Sequence, residues 1–320
     1  MATQTHAAQV SGEKVKENTN EHELSSQDIK WRNIILLSII HLLGIYGFYY
    51  VLFSRKPYQL KTLIFHFIYG YFGGFGVTGG AHRLWTHRSY KAKLPLRILL
   101  AYAYLCAGMN SLFEWVRDHR VHHRFSETDA DPHNAKRGLF FSHCGWLLQT
   151  KHPEVKRRGK EVDMGDVTYF LILQPLSSIV IPLLIPHFLW GESFANNFST
   201  LAVRWVLLLN FVWSVNSFAH IYGHRPYNKK LNPAENWIVS LVAVGEGWHN
   251  YHHQFPRDYK TSELPYYVNI STLLIDMFAF IGWAYDLRTA SENVIEKTVV
   301  ESGDGSHYLW GHRSKNDKDN

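Results

Sequence analysis

The sequence predicts an all-α integral membrane protein: four transmembrane helices with a cytosolic helical cap that holds a histidine-rich metal site. Three observations carry that prediction. Four apolar runs approach bilayer-spanning length, at residues 34–53, 63–81, 169–190 and 201–222. None alternates as a strand would, and backbone groups in lipid must be satisfied within their own segment, which favours helices. The 20 histidines among 320 residues are placed unevenly, eight of them in three short boxes outside these runs.

Composition removes other classes. Hydrophobic content of 46% with 19% charged residues excludes a disordered or fibrous chain. Mean hydropathy of −0.20 looks soluble only because apolar segments are averaged with polar ones. Cys106 and Cys144 form no CxxC pair and cannot staple a secreted scaffold, which fits a reducing compartment. The net charge of +6 suggests nucleic acid, but no basic stripe stands beside an aromatic platform, so no nucleic-acid partner is expected. Residues 1–30 are polar, without the apolar core of a cleaved signal, and 301–320 are polar as well. Both are expected to be flexible tails around a membrane domain at 31–300.

The first span opens near Trp31 and the third closes at Trp190, rings that favour the membrane–water interface. Residues 83–167 carry 15 Lys or Arg, whereas 191–200 carry none. The positive-inside rule then places 83–167 and both termini in the cytosol, although Arg55, Lys56 and Lys61 oppose it from the other side. A fifth apolar segment, 94–113, is interrupted by Arg97 and Asn110. If it crossed, the histidine groups on its two sides would face opposite compartments. It is therefore expected to lie in or beside the membrane.

Those groups read HRLWTH (His82, His87), HRVHH (His119, His122, His123) and HNYHH (His249, His252, His253). Offsets of three and four share one helical face, so each HxxHH can converge three imidazoles on a metal. At one histidine in sixteen, HxxHH arises by chance about 0.08 times in this length, so two copies are a signal. An offset of five separates His82 and His87 by about 140° on an α-helix, so the helix is expected to end or bend there. His220 ends the fourth span with Asn216 one turn earlier, and polar groups at membrane depth are functional candidates. His220 is taken as the ninth ligand, and Asn216 as a candidate acting through water. Nine imidazoles exceed one ion's needs, so two metal ions are expected. The donor set alone suits iron, copper, zinc or nickel.

The three boxes, in this order among four spans, closely resemble the membrane acyl-CoA desaturases of the stearoyl-CoA (Δ9) desaturase family, with an insect-like flavour. The resemblance extends through WRNIILL, GAHRLWTHRSYKAKLPLR, EWVRDHRVHHRFSETDADPHN, FFSHCGWLL, GEGWHNYHH and GDGSH, from about Trp31 to His307. It implies a multi-pass enzyme of the endoplasmic reticulum membrane that desaturates saturated C16 or C18 fatty acyl-CoA, most commonly at Δ9. It also implies O2 as oxidant and electrons from cytochrome b5, reduced by NADH-cytochrome b5 reductase. The nine histidines would hold two iron ions (Fe2+), with no catalytic residues beyond the ligands.

Positions matching the family's CoA-binding residues are Asn33, Asn110, Arg117, Asp118, Lys151 and Trp213. Arg and Lys suit phosphates; Arg117 and Asp118 can equally form a local ion pair. Thr150 departs from the basic residue familiar beside Lys151. In the second span Gly70 and Gly74 either pack helices closely or leave room for an acyl tunnel and set chain length. Asn232-Pro233-Ala234-Glu235 stands where insect members carry a signature that tracks regiochemistry; it can also be a plain turn. Other readings are a different regiospecificity such as Δ11, a His-box fatty acid hydroxylase and, outside enzymes, a metal transporter. Transport needs ligands along a pore, whereas these gather at one face.

Overall fold

The computed structural model describes residues 28–54, 57–167, 173–264 and 266–312. In chain order its helices are α1 (Trp31–Phe53), α2 (Leu60–Phe75), α3 (Leu94–Ala107), α4 (Leu112–Phe125), α5 (Leu139–His143), α6 (Pro153–Lys160), α7 (Leu173–Pro175), α8 (Ile181–Trp190), α9 (Phe194–Ile221), α10 (Trp237–Val242), α11 (His249–Gln254), α12 (Ile270–Phe280) and α13 (Glu292–Ser302). Strands among the described residues amount to β1 (Lys91–Ala92) and β2 (Ala284–Tyr285), paired antiparallel.

Among the described residues, three helical segments are long and apolar enough to cross a membrane: Trp31–Phe53, Leu173–Trp190 and Phe194–Ile221. The fourth expected span is α2, which runs without a break into a π-helix at Gly76–Thr86. α1 leaves Ile35, Leu42, Ile45 and Phe53 exposed, an outward face made for lipid. Its inner face is narrow: a Cβ on Gly44 would lie 2.5 Å from Val206 Cγ2, so only glycine lets α1 lie this close to α9.

Several boundaries differ from the sequence reading. α9 begins at Phe194 instead of 201, because the polar stretch taken for a loop is helical. Ser193 Oγ caps it through the Asn196 amide, and the Asn196 side chain donates to Glu192 at 3.0 Å. Asn197 is buried against His66 Nε2 at 2.6 Å. Low hydropathy here reflects polar groups buried against protein partners, not solvent. The expected start of the third span at 169–172, Arg55, Lys56 and most of the N-terminal tail lie outside the described residues. The expected C-terminal tail is packed as far as Trp310. His307 is buried, donates to Glu263 at 2.7 Å and stacks on Trp310.

Segment 94–113 is sharply bent. Gly108 ends α3 in the left-handed region, Ser111 caps α4, and α3 and α4 meet at 91°. The helix carrying HRLWTH ends within the box, as expected, at Thr86 with His87 as its C-cap, but it reaches that end in an unexpected form. It widens into a π-helix, whose hydrogen bonds join residues five apart, and the His87 amide donates to the His82 carbonyl at 3.0 Å. Residues five apart therefore stack on one face.

Candidate metal centre

α4 and α11 carry the HxxHH triplets, the π-helix and the residue after it carry His82 and His87, and α9 ends beside them with His220. All nine expected histidines meet in two groups. His82, His87, His119, His123 and His252 form one, and His122, His220, His249 and His253 the other; within each, one ligating atom per residue lies within 4.8 Å of the rest. The groups touch, with the rings of His123 and His253 stacked 4.1 Å apart.

The spacing fits metal ligation. Two nitrogens on one ion at right angles, with bonds of about 2.1 Å, stand about 3.0 Å apart. His82 Nε2 to His252 Nε2 is 2.9 Å, His252 Nε2 to His123 Nε2 is 3.0 Å, and His220 Nε2 to His249 Nε2 is 3.0 Å. Nε2 of His87, His119 and His122 is buried with no protein partner among the described residues. Burial, reinforced by neighbouring imidazoles, holds His87, His119, His123, His249, His252 and His253 well below the ordinary histidine range. Neutral rings keep their lone pairs for a metal.

Carboxylates stand beside three of the rings. Glu127 Oε1 lies 2.6 Å from His220 Nδ1, Asp131 Oδ1 2.9 Å from His122 Nδ1, and Glu246 Oε2 2.8 Å from His82 Nδ1. The Glu127 and Asp131 bonds pin a tautomer and leave Nε2 for the centre, while Glu246 sets a negative charge beside His82. Burial alone would lower His122 and raise Asp131; their pairing reverses both shifts. Glu246 is likewise held below the usual carboxylate range despite burial, chiefly by Arg83. The Arg83 guanidinium, fully buried, donates to Glu246 at 2.8 and 3.0 Å and to Thr272 Oγ1 at 2.9 Å, tying the π-helix to α12.

Sequence reasoning missed Glu127, Asp131, Glu246 and Arg83. For the three carboxylates the available signal was an acid within eight residues of an HxxHH box; Arg83 carried no such signal. His133, left outside the ligand set, lies 3.4 Å from Asp131 and forms a third small group with it and His122. His143 stays away from the metal groups, bonded to Ser217 and Asn210.

A cavity of about 240 Å³ opens against both groups, at His82, His119 and His249. Asn33, Asn110, Asp118, Trp213 and Asn216 also line it, as does Gly74. Arg117 and Lys151 stand behind the wall, both paired with Asp118, so the local ion pair exists and includes a second base. Asn33 donates to Leu147 O at 2.7 Å. Gly70 is not part of the cavity wall; a Cβ there would meet Arg204 Cγ at 3.3 Å. Glu235, from the four-residue signature, accepts the Tyr251 amide at 2.7 Å and so caps the start of α11. Burial, with no cation beside it, pushes Glu235 up to about 8.

Residues 59–271 match the model of the family described as Fatty acid desaturase. The chain is 52% identical over 301 residues to an acyl-CoA Delta-9 desaturase of Acheta domesticus, covering 90% of this chain and 83% of that one. It is 47% identical over 288 residues to stearoyl-CoA desaturase 4 of Mus musculus, covering 87% and 80%. It is also 47% identical over 295 residues to an acyl-CoA Delta(11) desaturase of Spodoptera littoralis, covering 89% and 86%. With nine histidines gathered beside an apolar cavity and a family match over most of its length, this chain belongs to the fatty acid desaturase family.

Proposed function

We propose that the protein is an acyl-CoA desaturase that introduces a cis Δ9 double bond into saturated C16 or C18 fatty acyl-CoA. The observation that carries this reading is the cavity: Asn33 and Asp118 line it together with many apolar side chains, and His82, His119 and His249 open onto it. The Δ9 assignment rests on the 52% identity to the Acheta domesticus Delta-9 enzyme, against 47% to the Delta(11) enzyme.

In this reading Asn33, Asn110 and Trp213 orient the pantetheine arm, and Arg117 and Lys151, held by Asp118, face the phosphates. The apolar wall seats the chain and excludes water. The two histidine groups would hold one iron each, and Asn216 would position a water at the four-histidine group. When bound, the iron pair supplies O2 activation at an unactivated methylene. Two adjacent hydrogens leave the chain, and O2, two electrons and two protons complete two waters. The electrons come from cytochrome b5, recharged by NADH-cytochrome b5 reductase. Buried carboxylates fix the ring tautomers throughout. The enzyme resides in the endoplasmic reticulum membrane with both termini cytosolic.

Expression in a desaturase-deficient yeast, followed by mass-spectrometric mapping of double bonds, tests the reading. Δ9 monounsaturated acids are expected from the native chain and none from His122→Ala. Δ11 products would correct the regiochemistry, and hydroxy acids the reaction. No lipid change from an expressed, iron-loaded protein would turn the assignment toward metal handling.

A further inference from the structure

Resting on the acyl-CoA reading, one further residue acquires a role. Gly74 and Leu208 line the cavity from α2 and α9, and a Cβ on Gly74 would stand 3.7 Å from Leu208. One turn further along each helix come Gly70 and Arg204, also in contact, and neither belongs to the cavity wall. One turn beyond Gly74 and Leu208, the Arg204 stem thus fills the gap between the two helices. Trp205, the next residue, belongs to the wall and donates its indole N–H to Gly108 O at 3.2 Å.

Arg204 is an unusual residue to find there. It is buried, and among the described residues it has no carboxylate partner. Its guanidinium donates to Ser178 O at 2.7 Å and Cys106 O at 3.2 Å and lies 5.1 Å from the Tyr69 ring centre. Nε is buried without a partner. A cation at this depth is costly, and such residues are retained for function. The two carbonyls it satisfies belong to separate segments, the end of α3 and the π-turn at Leu176–Val180. Swinging the side chain aside would strand both carbonyls and the cation in an apolar surround, where no water replaces the lost bonds.

We propose that Arg204 is the end stop of the acyl cavity and sets the longest chain accepted. A leucine or methionine there could yield to a longer chain by changing rotamer. A guanidinium tethered to two backbone carbonyls presents a fixed wall.

The test is a competition among C16, C18 and C20 saturated acyl-CoAs on the purified, iron-loaded enzyme. Arg204→Ala opens the gap, and the kcat/KM ratio of C20 to C16 is expected to rise about tenfold, the scale of one methylene in a pocket. Arg204→Met keeps the bulk without the tether, and an intermediate rise is expected. Arg204→Lys retains cation and stem and should keep the native ratio. General structural damage would lower turnover on all three substrates without changing their ratio. An unchanged ratio in Arg204→Ala, or in Arg204→Met should the alanine variant not accumulate, overturns the proposal. A native enzyme that desaturates none of the three instead defeats the acyl-CoA reading.

Discussion

The two histidine groups use one residue type but are supported differently. In the five-imidazole group, among the described residues, a carboxylate reaches one ring: Glu246 at His82, itself clamped by buried Arg83. In the four-imidazole group two carboxylates do so, Glu127 at His220 and Asp131 at His122, neither of them bonded to an arginine among the described residues. The group with fewer nitrogens thus has more negative charge behind it, which makes its imidazoles stronger donors. The larger group relies on number, the smaller on basicity.

Removing one ring from each group is the strongest way to break the comparison. His252→Ala and His220→Ala should each drop turnover to background and lower metal content by about one equivalent, read by elemental analysis. Full turnover in either variant would mean that the groups do not act as a unit. The carboxylates sharpen it. Glu127→Gln and Asp131→Asn are expected to cost about 10–100-fold in metal affinity or activity, with little change in thermal stability. Glu246→Gln should also lower the melting temperature, because it strands a buried arginine. Equal melting temperatures in the three variants would remove the distinction.

The smallest effect concerns the scaffold under α11. Glu235 is neutral in the fold up to about pH 8, whereas in the unfolded chain it ionises near pH 4.5. Between those values the unfolded state binds fewer protons, so stability falls as pH rises. Glu235→Gln keeps an oxygen for the Tyr251 amide and removes the titration. Its melting temperature should exceed the native one at pH 8 and approach it at pH 5, measured by thermal unfolding. A gap that does not widen with pH would refute this.

The gathering of the nine histidines was legible because the spacing within each box is a local property, and the sharp bend between α3 and α4 goes with it, since groups that meet must lie on one side. The partition into five and four was not legible, because it depends on how α4 and α11 cross. His122 and His123 are adjacent in sequence yet serve different groups. Glu127 and Glu246 were hidden for a similar reason: each supports a histidine from another segment. The early start of α9 was missed because hydropathy scores Asn196 and Asn197 as wet, whereas in the fold their partners are protein.

The π-helix makes residue count itself a constraint. Each wide turn accommodates one residue more than an α-turn would hold. Losing any single residue from Gly76–Thr86 would let the segment relax to ordinary pitch and rotate His82 and His87 away from the other rings, although every ligand would still be encoded. Among sequences that build this centre, the eleven positions from Gly76 to Thr86 should vary in identity long before they vary in number.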